Sequence, residues 1–405
     1  MKKKYIILSI ITLALLITFV TSFNYFKTSN NYVEDNVNNQ TKIIKEISMN
    51  LEQTAGAGDY KTVTQSSWPT EGYEFNAELS KCENGSELSW DDTKKAVIVS
   101  GNLSDKCYLY FDIYQSLLTE YIISQYKGTQ GDNDIYYHNS ALTNGAGDNS
   151  YRYAGANPNN YVCFGSDASS CPADNLYRII GVIDDKIKLI KADFASSTLL
   201  GTNGDYGSSA TPASTYKGSL TSVNTYYWNS SDEQNTWSIA LLNTTNLNTN
   251  FINNLSTTWS NKIVTTTWKV GGGILIDVIR QIPSVSYQNE ITTPASTTTY
   301  TAKIGLMYVS DYGFATDPSA WTLTLENYNN ITATNSNWMY IGHDEWTITP
   351  DLGGPDSEFR IDKSGKVSSD LGTYNSNGVR PVFFLDSSIT YASGDGTQSS
   401  PIRIN

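Results

Sequence analysis

The chain has 405 residues and a formal net charge of −13, from 40 acidic against 27 basic side chains. Its first 45 residues carry six lysines against Glu34 and Asp35, which leaves −17 on the remaining 360. That acidity argues against nucleic acid and anionic membrane surfaces as partners of the bulk of the chain, since both require a basic footprint.

The N-terminus opens with Lys2, Lys3 and Lys4, followed by an uncharged, mostly apolar run from Ile6 to Phe23 that approaches the thickness of a bilayer core. This is an export signal, either an uncleaved signal-anchor over residues 1–26 or a signal peptide cut after the small residues near Val20 and Ser22. The lysines orient the rest of the chain outside the membrane in both cases. The expected location is therefore the cell membrane, single-pass, with the bulk of the chain extracellular, or secreted if the leader is cleaved. No cysteine follows the apolar run, so a lipoprotein anchor is disfavoured.

Beyond the leader the chain is rich in Asn, Ser, Thr, Tyr and Gly, a composition that favours strands and turns over long helices. Residues 27–60 are polar, end in "AGAG", and read as an extracellular stalk with a short helix around Ile43 to Leu51. Residues 61–113 read as a small β-domain of sandwich type, with the Asn84-Gly85 turn dipeptide, the alternating "CYLYFDIY", and Trp90 as core filler. Leu117, Leu118, Tyr121, Ile122 and Tyr126 recur at helical spacing and predict a linking helix within 114–130.

Residues 131–405 form the large domain. Its clearest element is "LYRIIGVIDDKIKLIKADF", two apolar runs around Asp184-Asp185-Lys186, which predict a β-hairpin. Trp237 and Leu241, then Phe251, Leu255 and Trp259, suggest two short helices split by an Asn/Thr-rich middle. Further strands are expected in "NKIVTTTWKVGGG", "TAKIGLMYVSDYGFA", "EFRIDKSGKVSS" and "GVRPVFFLDSSITYASG", the third closing at Lys363-Ser364-Gly365. Strands with inserted helices and no βαβ rhythm indicate an α+β fold.

Four cysteines, Cys82, Cys107, Cys163 and Cys171, form an even set in an exported chain, for which disulfides are the default. Three pairings exist in principle. The local one, Cys82–Cys107 with Cys163–Cys171, is favoured because each pair falls within a separately patterned segment. Zinc is disfavoured because His138 and His343 stand at no ligand spacing from a cysteine. A redox pair would call for Cys-x-x-Cys at a helix start, and seven residues separate Cys163 from Cys171.

The pieces "NPNNYVCFGSD", "CPADNLYRIIGV", "TTTWKVGGG", "AKIGLMYVSDYGFA", "NWMYIGHDEWTI" and "GVRPVFFLDSSITYASGDGTQSSPIRI" resemble an uncharacterised family of bacterial cell-surface domains, over roughly residues 115–405. The closing pattern is also distantly similar to the α+β domains of C-type lectins and sulfatase-modifying factors. This resemblance implies a surface location and a lectin-like α+β fold for the large domain. It brings no activity with it, and the chain lacks a pilin leader's signature.

Candidate ligand-binding residues cluster in "NWMYIGHDEWTI": Trp338, Tyr340, His343, Asp344, Glu345 and Trp346 would suit a sugar platform, rings on pyranose faces and carboxylates on hydroxyls. The competing reading turns the rings into the core and leaves His343-Asp344-Glu345 as a turn. Arg380, before a proline in an apolar strand, is expected to bond buried carbonyls or a carboxylate, or else an anionic ligand. No nucleophile elbow or zinc motif accompanies His343, and neighbours along a strand face opposite ways, so catalysis is disfavoured. No cofactor is implied. Calcium is considered at Gly131–Asp134 and Ser393–Thr397, where turn chemistry explains the acidic residues better, and Lys269–Gly273 lacks the Lys-Ser/Thr of a phosphate loop.

These readings predict a membrane-anchored, non-catalytic surface protein that binds an extracellular glycan or a surface protein. The alternatives are an exported enzyme acting on polysaccharide or cell wall, and a structural component of a pilus or surface layer. A shallow aromatic-lined surface would favour binding, whereas two opposed carboxylates in a concave pocket would favour a glycosidase.

Overall fold

The computed structural model describes residues 46–63, 69, 72–91, 93–94, 96–101, 105–203, 216–220, 223–229, 235–372 and 374–405. The expected signal-anchor and the first part of the expected stalk lie outside these residues. Among the described residues, no helix is long and apolar enough to cross a membrane. The fold is mixed α+β, strand-rich with few and short helices, and it holds two disulfides. The chain divides between Gln115 and Ser116 into two units.

The smaller unit begins earlier than its sequence suggests. Glu46–Glu52, expected as the end of a stalk and partly as a helix, is a β-strand. Ile47 and Leu51 satisfy a helical and an alternating period equally well. Met49 decides the matter, because only alternation buries it beside Leu51. This strand forms a hairpin with Tyr60–Val63 and runs parallel to Lys106–Ile113, with Ile47 opposite Cys107 and Leu51 opposite Phe111. Tyr73–Phe75 and Lys81–Cys82 pair antiparallel with Lys106–Ile113, and Cys82 stands directly opposite Cys107, to which it is bonded. A separate hairpin, Glu87–Asp91 with Ala96–Ser100, brings Val97 and Val99 into the core of Met49, Leu51, Leu109 and Phe111. Trp90 stacks on Phe75 and meets the edge of Phe111, as its expected role as filler requires.

In the larger unit a seven-stranded sheet is antiparallel throughout. Its order is Ile304–Gly305, Val382–Phe384, Lys186–Lys191, Leu176–Ile183, Tyr151–Tyr153 and Ile135–Tyr137, with Tyr161–Cys163 also on Leu176–Ile183. The expected hairpin is its centre. Asp184 and Asp185 take positive φ of 50° and 56°, the tight turn that matches strand twist. A register shift lies between Ile179 and Gly181, and there the neighbouring strand comes so close that a Cβ on Gly181 would lie 2.2 Å from the Tyr151 carbonyl oxygen. Cys163 and Cys171 are bonded and clip the loop that feeds Leu176–Ile183.

Leu118–Gln125, expected as a linking helix, buries Leu118 and Ile122 in the core of the larger unit and so belongs to it. The Asn/Thr-rich stretch expected to split two helices is itself helical, a π-helix over Leu242–Phe251. Its asparagines are structural: the Asn243, Asn246, Asn248 and Asn250 amides donate to the carbonyls of Trp237, Leu200, Ile304 and Leu200. The segment expected as one strand from Thr301 to Ala315 turns after Ile304–Gly305 into the helix Val309–Phe314. Ser357–Ile361 and Val367–Leu371 form the expected hairpin, joined on its other side by Glu345–Pro350.

Candidate functional site

The residues from Asn337 to Ile348 do not form a surface platform. Trp338 and Trp346 are buried, at 3% and 0% exposure, and their indole N–H groups donate to the Tyr153 and Tyr226 carbonyls at 2.9 and 2.7 Å. Trp338 is further covered by the Arg178 guanidinium, 4.6 Å from its ring centroid. Neither ring has a face to offer a sugar. Tyr340 is half-buried and donates to the Lys363 carbonyl.

The three polar residues that follow diverge. His343 is exposed and meets the edge of Phe194. Asp344 pairs with Arg360 and accepts from the Lys363 amide. Glu345 is buried and takes a bidentate bond from Arg380, Nε to Oε1 and Nη2 to Oε2, both 2.7 Å. Arg380 Nη2 also donates to the Met339 carbonyl at 2.7 Å. Burial pushes the Glu345 carboxyl up, and the facing guanidinium opposes that. Arg380 thus serves the core, bonding both a carboxylate and a carbonyl.

A second buried network lies apart from these residues. Arg152 donates to Asp148 at 2.7 Å and reaches Asp311 at 3.4 Å, and the Lys188 ammonium lies 2.6 Å from Asp311. Burial lowers the Lys188 ammonium, with Asp311 pulling the other way. Glu290, also buried, accepts from the Val309 and Ser310 amides and the Thr349 hydroxyl, capping the helix that carries Asp311. His138 sits nearby against Phe314 and Trp321. It accepts from the Ala146 amide through Nδ1, and burial holds it neutral.

This network reaches the surface at Asp148. Asp148 lines an open cleft of about 210 Å³ whose apolar wall is Ile123, Tyr151 and Val182 and whose polar rim adds Asn149, Asp184 and Asp185. The sheet register builds the wall, since Tyr137 stands opposite Tyr151 and Tyr151 opposite Val182. Tyr137 stacks on Tyr151 at 4.5 Å between ring centroids, and Tyr126 meets Tyr151 edge-on at 5.6 Å. All three rings are half-buried, so each keeps an accessible part. The Tyr137 hydroxyl donates to the Asn149 side chain at 3.3 Å, which ties rim to wall.

Asp148 is fixed by the network behind it: Arg152 and the Tyr287 hydroxyl bind Oδ2, each at 2.7 Å, and the Ser150 hydroxyl and amide bind Oδ1. Burial alone would raise this carboxyl, but Arg152 and the hydroxyls outweigh it and hold the group far below the ordinary carboxylate range. These contacts favour its ionised form, which suits an acceptor better than a general acid. Asp184 and Asp185 are exposed on the hairpin tip.

The sequence signal for this cleft was weak. The tyrosines of "DIYYHN" and "SYRYAG" alternate along their strands, but only the pairing register joins them, and Asp184-Asp185 read as a turn alone. As for calcium, Asp132 accepts from the Lys127 and Thr129 amides and Asp395 from Thr397, which spends both carboxylates on turns. Among the described residues no three acidic, imidazole or thiolate groups come together as a metal cage. No protein-family model, curated protein or solved structure matches the chain.

Proposed function

We propose that this chain is a non-catalytic bacterial surface protein, exported and held at the membrane by its N-terminal segment, whose larger unit binds an extracellular glycan at the Tyr151 cleft. The observation that carries this reading is the Tyr151 ring, held by its packing against Tyr126 and Tyr137, in one open cleft with Asp148, Asn149, Asp184 and Asp185. Rings that bury pyranose faces and carboxylates that accept from hydroxyls are the two parts a sugar site needs. Two disulfides are consistent with an oxidising, extracellular setting. The resemblance to bacterial surface domains and, more distantly, to C-type lectins belongs to the same reading. Asp148 itself does not suit the proton-donor role of a glycosidase, because Arg152 and the surrounding hydroxyls favour its ionised form.

A protein ligand is the second reading. Ile274, Leu275 and Ile276 are exposed in succession, and Leu352 is exposed beside them, its amide donating to the Gly273 carbonyl. Such an apolar patch suits a protein partner.

The test is a glycan array probed with the full-length protein and its Tyr151→Ala variant. The proposal expects one glycan class to be retained, with affinity in Tyr151→Ala down about tenfold, the worth of roughly 1.4 kcal/mol of stacking. Retention of no glycan by a folded protein would remove the proposal and leave the apolar patch as the binding face.

A further inference from the structure

We infer that the Tyr151 cleft selects a glycan carrying free, protonated amines, that is, an amino sugar that is not acetylated; this rests on the glycan reading above. The cleft offers negative charge and one aromatic ring, and no positive charge. None of its lining residues is basic, while Asp148, Asp184 and Asp185 all contribute carboxylates. The nearest basic residue along the turn, Lys186, directs its ammonium to the Asp184 carbonyl oxygen at 3.3 Å. The one guanidinium behind the cleft, Arg152, is buried and divided between Asp148 and Asp311.

An anionic sugar would meet repulsion from the Asp184 and Asp185 carboxylates, with Asp148 already paired to Arg152, and a neutral one would leave the two rim carboxylates with hydroxyl contacts alone. A primary ammonium on a sugar ring can be reached by a rim carboxylate while the pyranose lies along Tyr151, and its charge is attracted by the tyrosine ring as well. Tyr137 stacks on Tyr151 and covers that face of its ring, so a sugar meets the part of Tyr151 that remains exposed to the cleft. Because the rim aspartates are exposed, the preference depends on ionic strength.

The experiment measures binding of the full-length protein to glucosamine oligomers, N-acetylglucosamine oligomers of equal length, a uronic-acid polymer and oligolysine, at pH 5.5 in low salt. The inference expects glucosamine oligomers to bind at least tenfold more tightly than the acetylated ones, with no binding of the uronic-acid polymer. It also expects the preference to collapse to less than threefold in the Asp184→Asn/Asp185→Asn double variant. Asparagine accepts the positive φ of both positions, so the hairpin is retained. Equal binding of free and acetylated oligomers would overturn the inference and leave the glycan reading standing. Oligolysine binding as tight as the glucosamine oligomers, or a preference unchanged in the double variant, would also overturn it. Failure of every glycan with an intact fold would remove both.

Discussion

Glu358 is the residue whose chemistry is least in keeping with its surroundings. It lies at 0% exposure in the strand Ser357–Ile361, and neither carboxylate oxygen makes a well-formed hydrogen bond, although the Gly372 backbone lies close to it. Burial, then the neighbouring carboxylates Asp356, Asp370 and Asp351, push it up from 4.5 to about 9, with the Gly372 backbone opposing. Between these two values the folded state keeps a proton that the unfolded chain releases. The contribution of this one group to stability is therefore most favourable below about pH 4.5 and declines as pH rises towards 9, by at most about 1.4 kcal/mol per unit. Glu358→Gln keeps the shape and removes the titration. Thermal melts from pH 5 to 9 should show the variant gaining on the parent steadily as pH rises. Parallel curves would mean that Glu358 is solvated in the folded protein. No feature of the sequence "DSEFRI" flags this group, since Glu358 alternates with Phe359 as an outward residue would, and only the segments laid over it make the position an interior one.

At the level of elements, the hairpin Leu176–Lys191 is what the rest of the larger unit is arranged upon, and it was also the part most legible in advance. Two apolar runs of strand length around Asp184-Asp185 admit no competing period. Glu46–Glu52 escapes sequence reading because its apolar residues fit two periods at once, and the Leu242–Phe251 helix because asparagine is a poor helix former unless its amide finds carbonyls to cap, which for Asn246, Asn248 and Asn250 lie 46 to 56 residues away. For the Trp338–Trp346 segment the reading that turns the rings into the core is the better one, and the partners that hold them there, Tyr153, Tyr226 and Arg178, are all distant in sequence. The hairpin's bulge makes a prediction of its own. A methyl at Gly181 would meet the Tyr151 backbone, which cannot rotate away as a side chain can, so Gly181→Ala must displace the Tyr151–Tyr153 strand. Urea unfolding should show a loss of about 1–3 kcal/mol, the usual cost of overpacking. Glycan binding should fall with it, because Tyr151 is carried on the displaced strand. Wild-type stability in the variant would mean that the strands separate without cost.

At the scale of the molecule each unit has apolar burial of its own. Among the described residues Met49, Leu51, Val97, Val99, Leu109 and Phe111 make up the smaller unit's core, and the larger unit has a main cluster and a second one of Ala154, Tyr287, Phe314 and Trp321. Each unit also holds one disulfide, and the two are unequal. Cys82–Cys107 closes 25 residues of the smaller unit, worth about 3.5 kcal/mol in the loop-entropy account, against about 2.5 kcal/mol for the short loop at Cys163–Cys171. A small core has little reserve, so the larger contribution falls on the unit least able to lose it. Calorimetry of the full chain should therefore resolve two transitions. Under reductant, the smaller unit's should fall by roughly 15 °C or more and the larger unit's by only about 5 °C, since a given free-energy loss moves a small domain's midpoint further. Cys163→Ser/Cys171→Ser should reproduce only the smaller shift and leave cleft binding intact, because the clip restrains the loop before Leu176 and not the turn at Asp184. A single transition that moves as one body would show that the two cores melt together.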